Sequence, residues 1–212
     1  MPRSRAALPL LVALPPLVIG AVGLAHPVFL TPDTAERWRL AHLLLLPAFP
    51  LLAASIFVLL RGERGPSAWG ARVLSLAYAV LYGALDAIAG IGAPQQVIRS
   101  AERGDAGPPL GDLYEIGDRL GHLGVYAFAA SAGLTGLVLF RRTRSPLAVA
   151  GAAVAVAASY PFLRYHVFPP RGVLAMLAIA VGLGLLELSR LRDPVAPAAP
   201  AYLSSANSSP GP

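Results

Sequence analysis

The chain reads as an all-α, polytopic transmembrane helical bundle of six helices, or five if the first is a cleaved signal. Three observations predict this. Of 212 residues, 56% are hydrophobic and 13% charged, about half the charge usual in soluble domains. The apolar residues come in runs of about twenty, the length that crosses a hydrocarbon core of about 30 Å as a helix. Those runs are continuous rather than alternating, which does not fit membrane-spanning strands.

The predicted crossings are residues 6–25, 40–60, 71–92, 120–140, 146–163 and 172–189. The first follows the basic stretch MPRSR and ends in Gly23-Leu24-Ala25, which is also a signal-peptide pattern. Cleavage after Ala25 would make His26 a terminal residue, whose amine and imidazole together chelate copper in principle. The stretch is long for a signal core and Pro15-Pro16 interrupts it, so a retained helix is the preferred reading. The second crossing carries Pro47 and Pro50, which remove two backbone donors and predict a kink just below His42. The third carries Asp86, about six residues from its end. The fourth follows DLYEIGDRLGH, read as a helix start, whereas the preceding GAPQQ and GDAGPPLGD read as turns. Glycines 117, 121 and 124 on the fourth predict close helix packing rather than a phosphate cradle. The fifth and sixth are near the minimum spanning length, joined by RYHVFPPRG. These crossings make up a transmembrane domain over 1–192. Residues 193–212, rich in Pro, Ala and Ser, read as a disordered cytoplasmic tail.

Orientation follows from arginine, the only basic residue type besides histidine among the 17 Lys+Arg positions. The short RGERGPSAWGAR and RRTRSP connections concentrate Arg61, Arg64, Arg72, Arg141, Arg142 and Arg144 on one side, which the positive-inside rule makes cytoplasmic. Both termini then lie inside a cell membrane crossed several times. The lipid bilayer is the predicted partner. Arginines scattered singly between apolar runs do not form a nucleic-acid surface, so none is expected to bind. The absence of cysteine excludes disulfides, thiolate metal sites and iron–sulfur clusters.

On this topology all four histidines and several carboxylates fall toward the extracytoplasmic side. His26 lies just past the first crossing and His42 just inside the second. Asp118 and His122, at i, i+4 spacing, share one face at the start of the fourth. Nitrogen and carboxylate donors without thiolates suit a divalent transition metal such as Zn, Fe, Mn or Cu. The expected ligands are His42, Asp118, His122 and His26. Asp86, a carboxylate within an apolar helix, is the expected catalytic residue, as general base or as partner to an imidazole. Tyr82 and Tyr126 are placed to donate hydrogen bonds into the same space. His166, in a connection, is expected to be solvated, and Glu187 to pair locally with Arg190.

The leading function on these grounds is a non-catalytic membrane subunit or small carrier, its polar residues holding the bundle or moving protons. One alternative is a membrane-embedded metal-dependent enzyme acting on a lipid-like small molecule near the extracytoplasmic face. The other is a b-type haem protein passing electrons, with His42 and His122 as axial ligands. Sequence alone does not decide whether the chain is an enzyme.

Overall fold

The computed structural model describes residues 8–191, all of whose regular structure is helical. Seven α-helices and one π-helical segment form in chain order: α1 (Leu8–Leu24), α2 (Pro32–Leu59), α3 (Pro66–Leu85), the π segment (Asp86–Gly92), α4 (Ala93–Arg103), α5 (Gly111–Thr143), α6 (Pro146–Tyr165) and α7 (Arg171–Leu191). α3, the π segment and α4 run on as one rod over Pro66–Arg103, so six rods result. Five of them are long and apolar enough to cross a membrane, and α1, at 17 residues, is a shorter apolar helix. A helical rod is therefore present at each of the six predicted crossings, five of them long enough to span, and the fold is the expected all-α bundle. Its outward faces carry Leu14, Leu44, Leu51, Val73, Val80 and Val181 largely exposed, as lipid contact requires. The tail over 193–212 lies outside the described residues.

Neighbouring helices close into a ring: α1 packs on α2, α2 on α3, α3 on α5, α5 on α6, α6 on α7, and α7 back on α1. Small residues set the tightest of these seams. A Cβ at Gly121 would run into the Leu85 side chain, and one at Gly117 would stand 3.0 Å from Ala89 Cβ, so α5 sits hard against α3 and the π segment. Gly151 of α6 and Gly182 of α7 each face the other's backbone carbonyl. Buried hydroxyls join the helices further, Ser75 donating to the Ala53 carbonyl at 2.8 Å and Ser131 to that of Ala71 at 2.7 Å. These contacts confirm that the glycine spacing marks close packing.

The predicted boundaries were too short at one end of the bundle. α2 begins at Pro32 instead of 40, capped where the Thr31 amide donates to Thr34 Oγ1 at 2.8 Å. α5 begins at Gly111, at the helix start that DLYEIGDRLGH predicts and nine residues ahead of the predicted crossing, and spans 33 residues, roughly 50 Å at 1.5 Å per residue. The GAPQQ stretch is helical, not a turn. The π segment opens the hydrogen-bond ladder just before Pro94, which lies in the first turn of α4, where its missing N–H costs little. The rod stops at Gly104, which takes φ +70°. All three extensions are polar stretches continuing apolar spans, so hydropathy alone ended them early. α2 stays helical through Pro47 and Pro50.

At the opposite end Glu187, fully buried, accepts from Arg61 Nη1 at 2.7 Å and also from Arg61 Nη2. The expected local pair with Arg190 is thus replaced by one across the bundle. Arg190 instead donates to the carbonyls of Leu59 and Arg61, and Arg72 to that of Leu60, capping the last turn of α2.

Candidate metal centre

The polar residues converge where the α1–α2 connection, α2, the π segment and the α6–α7 connection meet. His42, on the inner face of α2, is buried, and so is Asp86 at the head of the π segment. His42 Nδ1 lies 2.5 Å from Asp86 Oδ1, and His42 Nε2 lies 2.9 Å from His26 Nε2. His26, also buried, donates from Nδ1 to the Pro27 carbonyl at 2.7 Å. Gly90, one turn past Asp86, leaves room for the His42 ring, which a Cβ there would strike. Trp38, one turn before His42, stacks on it at 5.9 Å and meets His26 edge-on at 4.6 Å.

His166 completes the group. Its ring lies parallel to that of His42 at 5.5 Å, and ligand atoms of His42, Asp86 and His166 all fall within 4.8 Å of one another. Its Nδ1 is 2.5 Å from the Tyr82 hydroxyl. Its backbone sits at φ +50°, a region that non-glycine residues enter at a cost of about 1–3 kcal/mol and that gathers at functional sites. The expectation of a solvated His166 is overturned: the α6–α7 connection folds inward and its Nε2 is sealed from solvent. Of five buried side-chain polar atoms without a hydrogen-bond partner among the described residues, three belong to this group: His166 Nε2, Asp86 Oδ2 and Trp38 Nε1. Such orphans at one locus mark a place built for something else.

Electrostatics favour the neutral form of the His26 and His166 rings. Burial lowers the His26 pKa to about 4, with the neighbouring His42 adding to the effect and the Pro27 carbonyl opposing it. Burial, then His42 and His26, hold His166 well below its usual value. Neutral rings are the metal-binding form.

Each histidine thus has Nδ1 engaged, by the Pro27 carbonyl, Asp86 or Tyr82, so Nε2 is the atom each would offer to a metal. That is the arrangement in which metal-bound histidines are held, their second nitrogen tied to a carboxylate, carbonyl or hydroxyl. Two nitrogens bound tetrahedrally at about 2.05 Å stand about 3.3 Å apart, so His26 and His42 need part by only a few tenths of an ångström. Beside them is a cavity of about 120 Å³ lined by Trp38, His42, Gly90, Tyr114, Asp118 and His166. It has the volume of about four waters.

The remaining candidates lie elsewhere. Asp118 and His122 are exposed, on the rim of a second cavity of about 260 Å³ that also reaches Tyr82, Arg164 and His166. Asp118 borders both cavities, His122 only the outer one. Tyr126 is 59% exposed and borders neither, so of the two tyrosines only Tyr82 reaches the group. The haem arrangement finds no support in the geometry: His42 and His122 do not line a common cavity, and the 120 Å³ beside His42 is well below the roughly 300–1,000 Å³ of cofactor sites. Comparison of the chain with protein-family models, curated proteins and solved structures finds no match in any of the three.

Proposed function

We propose that the chain is an integral membrane protein holding one divalent transition-metal ion through His26, His42 and His166, with Asp86 orienting His42. The observation that carries this reading is the engagement of all three Nδ1 atoms, which leaves the His26 and His42 Nε2 atoms facing each other and that of His166 buried without a partner. An all-imidazole set suits zinc or copper best. The 120 Å³ cavity supports an open coordination position, the mark of a catalytic rather than a structural ion. Asp86 lines neither cavity, so its part in this reading is to hold the His42 ring through Nδ1. The reading extends to a metal-dependent enzyme for a lipid-like molecule, with the centre at the extracytoplasmic end. Arg61, Arg64, Arg141 and Arg144 at the opposite end support that orientation and cytoplasmic termini.

One observation favours a second reading. His26, His42 and Asp86 already form a continuous hydrogen-bonded chain, which suits a proton relay in a small carrier or subunit. Elemental analysis of the detergent-purified protein after exposure to Zn²⁺ and Cu²⁺ separates the two. The metal reading expects about one ion per chain, lost in His42→Ala and His166→Ala and retained in Asp112→Asn. A monodisperse wild type that binds no ion overturns it and leaves the relay, to be tested by proton flux into vesicles.

A further inference from the structure

A buried centre needs an entrance, because a hydrated divalent ion does not cross an apolar helix wall. The two cavities supply one. Asp118, Leu85, His166 and Phe168 line both, so the outer 260 Å³ cavity and the inner 120 Å³ cavity share a wall. At the exposed rim of the outer cavity, Asp118 and His122 stand at i, i+4 on one face of α5. They offer a carboxylate oxygen and an imidazole nitrogen, the two donor types the inner group also uses. The third point on the path is His166, which lines both spaces and whose sealed Nε2 has no hydrogen-bond partner among the described residues. We infer that Asp118 and His122 form a capture site for a divalent cation and pass it by way of His166 to His42 and His26.

This rests on the metal reading and adds a route to it. Stepwise replacement of bound water by protein ligands lets the ion shed its hydration without standing bare in an apolar space. Arg164 borders the same outer cavity and opposes cation entry there, a charge that Asp118 offsets.

The test is kinetic. Full-length protein in detergent is stripped with a chelator and mixed rapidly with Co²⁺, whose visible absorption reports nitrogen ligation. The double variant Asp118→Asn/His122→Gln is expected to reach the wild-type cobalt content at least about tenfold more slowly. Arg164→Gln is expected to load at least as fast as wild type. Asp112→Asn, which removes a nearby exposed carboxylate outside both cavities, loads as wild type does. Equal rates for the double variant and wild type overturn the route. A double variant with reduced cobalt at equilibrium also overturns it, by making these residues ligands of the centre. A wild type that takes up no cobalt removes the metal reading itself, an outcome distinct from either.

Discussion

Proton bookkeeping at the His26–His42–Asp86 chain follows from which atoms can only accept. The Pro27 carbonyl must accept, so His26 Nδ1 carries the proton and its Nε2 is a bare lone pair. His42 Nε2–H therefore donates across the 2.9 Å contact, and one further proton lies between His42 Nδ1 and Asp86 Oδ1. An ion taking both Nε2 atoms leaves His42 a single proton, on Nδ1. One proton per ion is expected to leave, measured with an indicator dye in weakly buffered detergent solution. In Asp86→Asn the release falls to zero and affinity drops about 10–100-fold. A wild type that binds the ion without proton release refutes the assignment. The depressed pKa of His26 also has a sign. Between about 4 and 6.5 the unfolded chain holds a proton on this ring and the folded chain does not, so stability falls as pH drops through that window. His42 and His166 face the same ring, and His166 is held down in the same direction. Thermal midpoints in detergent are expected to fall from pH 7 to pH 5, with a shallower slope in His26→Gln.

At the level of elements, the π segment does the positioning. It places Asp86 at its head and Gly90 one turn on, both against His42. Gly90→Ala is expected to displace the His42 ring, at a cost of about 1–3 kcal/mol for overpacking, and to lower bound metal well below that of wild type by elemental analysis. Retention of a full equivalent at unchanged affinity would show that the ring tolerates the shift. Helix α5 shows how far periodicity reaches. The i, i+4 spacing correctly put Asp118 and His122 on one face, yet that face is not the one that meets His42. Gly117, Gly121 and Gly124 occupy the seam with α3 and the π segment, which turns the neighbouring residues 118 and 122 to the rim. The rotation of a helix about its axis is set by the partner it packs on, and the chain pattern does not name that partner. His166 was missed for a related reason: a connection reads as solvent-exposed unless its fold is known, and an inward turn at φ +50° leaves no signature in RYHVFPPRG.

Across the whole molecule, the two ends of the ring are separate. From Arg171, which opens α7 at the end of the bundle that holds the histidines, to Glu187 is sixteen residues of helix, about 24 Å. Breaking the Arg61–Glu187 pair by Glu187→Ala leaves the facing guanidinium without its acid. It is expected to destabilise the bundle by less than the about 3–5 kcal/mol seen for fully buried pairs, since the Arg61 side chain is 36% exposed. Sites this far apart act additively, so metal content should not change. A parallel loss of metal would show that the ends are coupled. Conversely, metal at 100 times its dissociation constant should stabilise the folded chain by about 2.7 kcal/mol. The thermal midpoint would rise in wild type and stay fixed in His42→Ala.

Composition and apolar run length by themselves determined the helical class, the number of helical rods and which residues are costly in lipid, Asp86 and His42 among them. They could do so because transfer into a bilayer is a sum over local segments. Which imidazoles meet, which nitrogen each leaves free, and that Asp118 and His122 stand at a rim were decided only by the closed ring of helices. Those outcomes depend on helix rotation, on the extra residue of a π turn and on how one connection folds inward, all of them contacts between residues far apart in the chain.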